Sequence, residues 1–172
     1  LDDHTGMLLV NCYLDKDGKH YQIDENGVVT ERTKLPTNIT GGHFEANDKG
    51  EWSYITSQGE KLTGFQYVDG VELYFDKDGK QLKGQEITVD GKTYYLDQNT
   101  GALLKNSYRN WSEKQIIPRY KTNYIYHTSY FNRDGIRATG LVKTASGFIH
   151  YFDENGELLK NVAVNVGDTT YV

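Results

Sequence analysis

The segment Tyr74-Phe75-Asp76-Lys77-Asp78-Gly79-Lys80-Gln81-Leu82-Lys83-Gly84 recurs along this 172-residue chain. It returns as Tyr95-Leu96-Asp97-Gln98-Asn99-Thr100-Gly101-Ala102-Leu103-Leu104-Lys105-Asn106, and again as Tyr151-Phe152-Asp153-Glu154-Asn155-Gly156-Glu157-Leu158-Leu159-Lys160-Asn161. Looser copies begin at Gln22-Ile23-Asp24, Tyr54-Ile55-Thr56 and Tyr130-Phe131-Asn132, and a truncated one closes the chain at Tyr171-Val172. Aligned on the acid-type residue after the aromatic pair, the copies fall at Asp2, Asp24, Thr56, Asp76, Asp97, Asn132 and Asp153, in steps of 22, 32, 20, 21, 35 and 21 residues. A period near twenty marks a repeat array, in which each unit buries its apolar side on its neighbour. Function then resides in what each repeat presents along one face.

Each copy reads as a β-hairpin. Glu72-Leu73-Tyr74-Phe75-Asp76 has the residues of a strand. Lys77-Asp78-Gly79 reads as the turn, with Gly79 supplying positive φ, and Lys80-Gln81-Leu82-Lys83 as the return strand. A lone hairpin is marginal in water. The expected fold is therefore all-β: an elongated, solenoid-like stack of hairpin repeats of about 20–22 residues. Ile23, Ile55, Phe75, Leu96, Phe131 and Phe152, with Leu62, Leu82, Leu103 and Leu158, are the expected core. The preceding tyrosines point to the other side of their strands and are placed to line grooves between hairpins.

We divide residues 1–172, one repeat module, into repeats near 1–31, 52–64, 71–84, 92–106, 124–140, 147–161 and 169–172. Longer connections fall near 31–52 and 107–127. The first is polar and Gly-rich and reads as a loop. The second carries Tyr108, Arg109, Trp111, Arg119, Tyr120, Tyr124 and Tyr126, and its 122–130 stretch reads as an added strand pair. Its aromatics fit either a sugar platform or internal packing. Leu1–Asn11 matches Leu96–Asn106 almost position for position, so the chain opens inside a repeat, as a fragment of a longer polypeptide would.

Several function classes are disfavoured. The net charge is −5 with no basic block, which argues against nucleic acid as a partner. No apolar run nears the roughly 20 residues that cross a bilayer, so no membrane insertion is expected. Cys12 stands alone, and the five histidines have no metal-ligand spacing, so no metal or cofactor is expected. The Asp-Lys-Asp-Gly runs lack the later carboxylates of a calcium loop and read as turns. No carboxylate pair or nucleophile is placed for catalysis.

The pattern Tyr-Phe-Asp-x-Asp-Gly-Lys-x-Leu-Lys-Gly, followed by Val89-Asp90-Gly91-Lys92-Thr93-Tyr94-Tyr95-Leu96, resembles the glucan-binding repeats of bacterial glucansucrases. These belong to the wider choline-binding and cell-wall-binding repeat superfamily. A choline site needs a cage of aromatic faces, mostly Trp. Here the position after the closing Gly or Asn holds Phe65, Gln85, Ser107, Leu141 and Val162. Trp52 alone fills the other Trp position. The resemblance implies instead pockets that combine a hairpin Tyr with Gln and Lys from adjacent repeats, taking an α-glucan polysaccharide or isomalto-oligosaccharide. Carried over position by position, the Tyr sites are Tyr54, Tyr74, Tyr95, Tyr130 and Tyr151. Gln66 keeps the Gln, which Glu86 and Val142 replace elsewhere. The lysines are Lys83, Lys105 and Lys160, with Lys143 in the later repeat. The fullest pocket is expected around Tyr74, with Gln66 and Lys83 at its rim. The resemblance further implies a non-catalytic, monomeric module of a secreted or cell-surface protein. A cell-wall or choline anchor, and a protein-interaction spacer, are the alternative readings.

Overall fold

The computed structural model describes residues 12–17, 19–23, 29–32, 37–116 and 123–171. The expected half-repeat at Leu1–Asn11, together with Arg119 and Tyr120 of the second long connection, lies outside them. The described residues contain no helix. Strands β1 (Cys12–Lys16), β2 (Lys19–Ile23) and β3 (Val29–Arg32) form one antiparallel sheet. Next come β4 (Asn38–Ile39), then β5 (His43–Ala46) paired with β6 (Trp52–Ile55), then β7 (Gly64–Val68) paired with β8 (Val71–Phe75). Strand β4 runs parallel to β7. The later pairs are β9 (Gln85–Val89) with β10 (Lys92–Leu96), β11 (Ser107–Gln115) with β12 (Asn123–Phe131), β13 (Gly140–Lys143) with β14 (Ile149–Phe152), and β15 (Val164–Val166) with β16 (Thr169–Tyr171). Two compact units emerge: Leu1–Val89 with Tyr94–Leu104, and Asp90–Thr93 with Lys105–Val172.

The hairpins are phased differently from the sequence expectation. Their tight turns are Asp69-Gly70 and Asp90-Gly91, with φ of 47°, 82°, 50° and 72°. Two successive positive values are what a two-residue turn needs to follow the twist of its strands. Lys77-Asp78-Gly79 instead ends β8, and the chain returns through a single bridge, Phe75 to Gln81. The same lone bridge closes Ile55 to Lys61, Leu96 to Leu103, Phe131 to Arg137 and Phe152 to Leu158. No second strand forms at Lys80–Lys83 because its amides are divided. Leu82 N–H goes to the Tyr74 carbonyl, whereas Gln81 N–H goes to the Trp52 carbonyl of the preceding repeat.

That division stitches the array. In the first unit the bridge residue donates one repeat backwards, Gln81 to Trp52 at 2.7 Å and Leu103 to Glu72 at 2.8 Å. In the second unit Arg137 donates to Thr93 and Leu158 to Thr128, both at 2.8 Å. The turn glycine fits the same junction. A Cβ on Gly101 would lie 2.7 Å from Gln81 Nε2 and 3.0 Å from the Leu82 carbonyl, so the close approach of backbone excludes a side chain there.

Among the described residues the aligned acid column caps turns. Asp76 Oδ1 accepts the N–H groups of Asp78 and Lys80, Asn132 Oδ1 those of Asp134 and Ile136, and Asp153 Oδ1 those of Asn155 and Glu157. A short side-chain acceptor is all the turn requires, which is why Asn substitutes for Asp. The Thr100 N–H, the Thr100 hydroxyl and the Asn99 N–H hold the Asp97 carboxyl below the usual aspartate range.

Both long connections differ from expectation. Residues 31–52 carry β4 and β5, and Asn47 caps a further turn by accepting from Lys49 and Glu51 N–H. Strands β11 (Ser107–Gln115) and β12 (Asn123–Phe131), nine residues each, pair with one another as a long hairpin, rather than 122–130 forming an added strand pair of its own. Phe75, Leu96, Phe131 and Phe152 are fully buried, and Ile23 is buried as well. Ile55 is only half-buried, and Tyr54 fills the core position expected of it.

Candidate functional site

The tyrosine column divides by burial. Tyr54 and Tyr130 are buried, and their hydroxyls accept the Gly42 and Ala145 N–H groups at 2.9 and 3.0 Å. Their polar ends are satisfied internally and their rings offer no free face, so these two are core residues and not groove linings. Tyr74, Tyr95 and Tyr151 are half-buried.

The pocket expected around Tyr74 does not assemble. Phe65 lies directly across from Tyr74, and Gln66 across from Leu73. Successive strand positions face opposite sides, so Gln66 points away from Tyr74. Its amide Nε2 donates to the Thr63 carbonyl at 2.7 Å. Lys83 Nζ leans onto the Asn99 carbonyl at 3.4 Å. The Phe65 ring occupies the remaining space, edge-on to Tyr74 at 4.9 Å and to Tyr94 at 4.8 Å. Tyr95 and Lys105 are half-buried at the next repeat and line neither cavity described below.

In the second unit the corresponding region is open. Leu141 lies across from Tyr151 where Phe65 lies across from Tyr74. A groove of about 590 Å³ is walled by Leu141, Leu159 and Val162, carries the half-buried rings of Tyr151 and Tyr171, and has the exposed Lys160 at its edge. Lys143, exposed across from Ile149, lies on the same strand face as Leu141. Two of the sequence-derived residues, Tyr151 and Lys160, are thus brought together. Tyr171 was missed, although its place in the truncated final repeat, equivalent to that of Tyr151, was a usable signal. Among the described residues the groove offers flat apolar surfaces beside the ammonium of Lys160, the side chain of Asn161 and the ring of His150.

The long hairpin β11–β12 bears a second cavity of about 440 Å³. Trp111 is engaged by the Arg109 guanidinium 4.2 Å from its ring centroid and by the His127 ring stacked at 5.0 Å. It therefore serves as packing more than as an open platform. Tyr124 and Tyr126 are the exposed rings, and Tyr126 is 80% accessible.

The chain matches the Choline-binding repeat family over residues 62–108 and 126–162. Glucosyltransferase-S of Streptococcus mutans serotype c is 38% identical over 166 residues, which cover 87% of this chain and 11% of that protein. Glucosyltransferase-I of Streptococcus downei is 32% identical over 183 residues, 92% of this chain and again 11% of the relative. The chain thus spans a small part of the length of these relatives. Choline binding protein F from Streptococcus pneumoniae shares the fold, with a TM-score of 0.53 at 22% identity over 92% of this chain and 48% of that one. On these matches the chain carries choline-binding repeats at residues 62–108 and 126–162, and its sequence is similar to a part of streptococcal glucosyltransferases.

Proposed function

We propose that this chain is a non-catalytic carbohydrate-binding module that holds α-glucan chains of the dextran type, within a secreted glucansucrase or related surface protein. The observation that carries this reading is the groove around Tyr151 and Tyr171. A glucose ring has an apolar C–H face that packs on a tyrosine ring, and hydroxyls that need donors and acceptors at the rim. Tyr151, Tyr171, Leu141 and Val162 supply the first, Lys160 and Asn161 the second. The residues that bind are therefore Tyr151, Lys160 and Tyr171, with Lys143 at the far end of the same face. The kinship with glucosyltransferases supports a glucosyl polymer as the ligand.

A choline anchor fits this groove poorly. Two tyrosines do not enclose a quaternary ammonium, and Lys160 places a like charge at the mouth. Electrophoresis through a dextran-containing gel tests the proposal. Dextran should retard the protein, free choline should leave its migration unchanged, and Tyr151→Ala should restore most of the lost mobility. Retardation by dextran that Tyr151→Ala leaves intact would remove the groove from the mechanism. Elution by choline with indifference to dextran would replace the glucan reading with the anchor.

A further inference from the structure

Resting on the glucan reading, we infer that the long hairpin β11–β12 is a second carbohydrate subsite, continuous with the Tyr151 groove, so that one glucan chain runs across both. Lys160 lines both cavities. Its position relative to the hairpin is held by three contacts made by β12 to the turn just before it. The Thr128 carbonyl accepts Leu158 N–H at 2.8 Å, Ser129 Oγ donates to the Gly156 carbonyl at 2.7 Å, and His127 Nδ1 lies 2.9 Å from Glu157 Oε1. The two cavities are thus edges of one bonded assembly within the second unit.

The chemistry of the hairpin cavity suits a neutral, polyhydroxylated chain. Asn110 lies across from Thr128 and Ser112 across from Tyr126, which puts all four side chains on one face of the hairpin. Thr128 Oγ1 donates to Asn110 Oδ1 at 2.9 Å, and the Asn110 amide nitrogen has no partner among the described residues. The lining among the described residues is amide, hydroxyl and aromatic side chains with the single ammonium of Lys160. Tyr124 and Tyr126, two residues apart on one strand, set two rings about 7 Å apart along the same face. Large exposed aromatics grouped in this way mark a contact surface. Asn110 and Ser112 lie in the long connection outside the twenty-residue repeats, so the site combines that connection with repeat residues.

The consequence is selectivity for chain length. A short oligosaccharide fills only the groove, whereas a longer one also reaches Tyr126. Isothermal titration of the full chain with isomaltotriose and with a dextran fraction of about ten glucose units reads this directly. The unmodified protein should bind the longer ligand several-fold more tightly. Tyr126→Ala should reduce that advantage by roughly threefold to tenfold, the range of one aromatic contact, and leave isomaltotriose unaffected. Because Tyr126 is 80% exposed, its replacement leaves the core intact, and an unchanged far-UV circular dichroism spectrum verifies this. Tyr151→Ala should weaken both ligands. If Tyr126→Ala binds both ligands as the unmodified protein does, the second subsite is overturned and the groove stands. If the unmodified protein binds neither ligand, the glucan reading fails and takes this inference with it.

Discussion

The β7–β8 and β13–β14 hairpins share one frame and differ in what fills it. In the first, Phe65 packs edge-on between Tyr74 and Tyr94. In the second, Leu141 holds the equivalent position across from Tyr151, and a groove of about 590 Å³ remains. The residue after the closing Gly, Phe65 in one and Leu141 in the other, is what differs directly across from the tyrosine. The repeat keeps the frame and varies the side chain that faces the ring.

The largest expected effect comes from emptying the packed site. Phe65→Ala removes a ring that is 37% exposed and contacts two tyrosines, and should cost about 2 kcal/mol of stability in urea denaturation. Dextran binding should not change, and a parallel loss of binding would show that the packed site also takes sugar. Next is the open site. Tyr151→Ala should weaken dextran binding by about 1 kcal/mol, or roughly fivefold, while Tyr74→Ala leaves it alone. Equal losses from the two variants would erase the distinction. A more direct conversion is Leu141→Phe, which should fill the groove as Phe65 does. Binding should fall by a similar amount, with stability held within about 0.5 kcal/mol. Retained affinity would mean that the ring turns outward.

The smallest effect concerns the caps, where Asp97 of the first unit can be set against Asn132 of the second. The Asp97 carboxyl is depressed in the folded state, chiefly by the Thr100 N–H, then by the Thr100 hydroxyl and the Asn99 N–H. Its contribution is therefore present above the ordinary aspartate range and is lost as pH falls through its lowered value. Asp97→Asn keeps the Oδ1 acceptor, as Asn132 does. Melting temperature at neutral pH should change little, and its decline below about pH 4 should become shallower. A steep loss at neutral pH would mean that charge, rather than an acceptor, is what the turn needs.

The repeat, the all-β class and the buried Phe75, Leu96, Phe131 and Phe152 were legible because burial repeats wherever the chain spacing repeats. The phase of the hairpin was not. Asp69-Gly70 and Lys77-Asp78-Gly79 are both good turn sequences, and only the diversion of Gln81 N–H to Trp52 decides which is flanked by paired strands. Of the candidate groove, Tyr151 and Lys160 stand at positions named by the family pattern and line one cavity, whereas Gln66 lies on the strand face opposite Tyr74, which only the register reveals. Tyr54 and Tyr130 resemble the other tyrosines in sequence. What removes them from the surface is a pair of hydroxyl contacts to Gly42 and Ala145, distant in the chain and invisible to a local pattern.

The backward hydrogen bonds have a direction. Gln81, Leu103, Arg137 and Leu158 each give their N–H to a carbonyl twenty-nine to forty-four residues earlier, whereas Gly84 and Asn106 give theirs to carbonyls of the repeat that follows. During synthesis the N-terminal side emerges first. Each acceptor strand is therefore already exposed when its donor leaves the ribosome, and every new turn can dock on a finished edge. Growth by templated addition limits each of these closures to about the span of one or two repeats, and lengthening the array adds steps of the same kind.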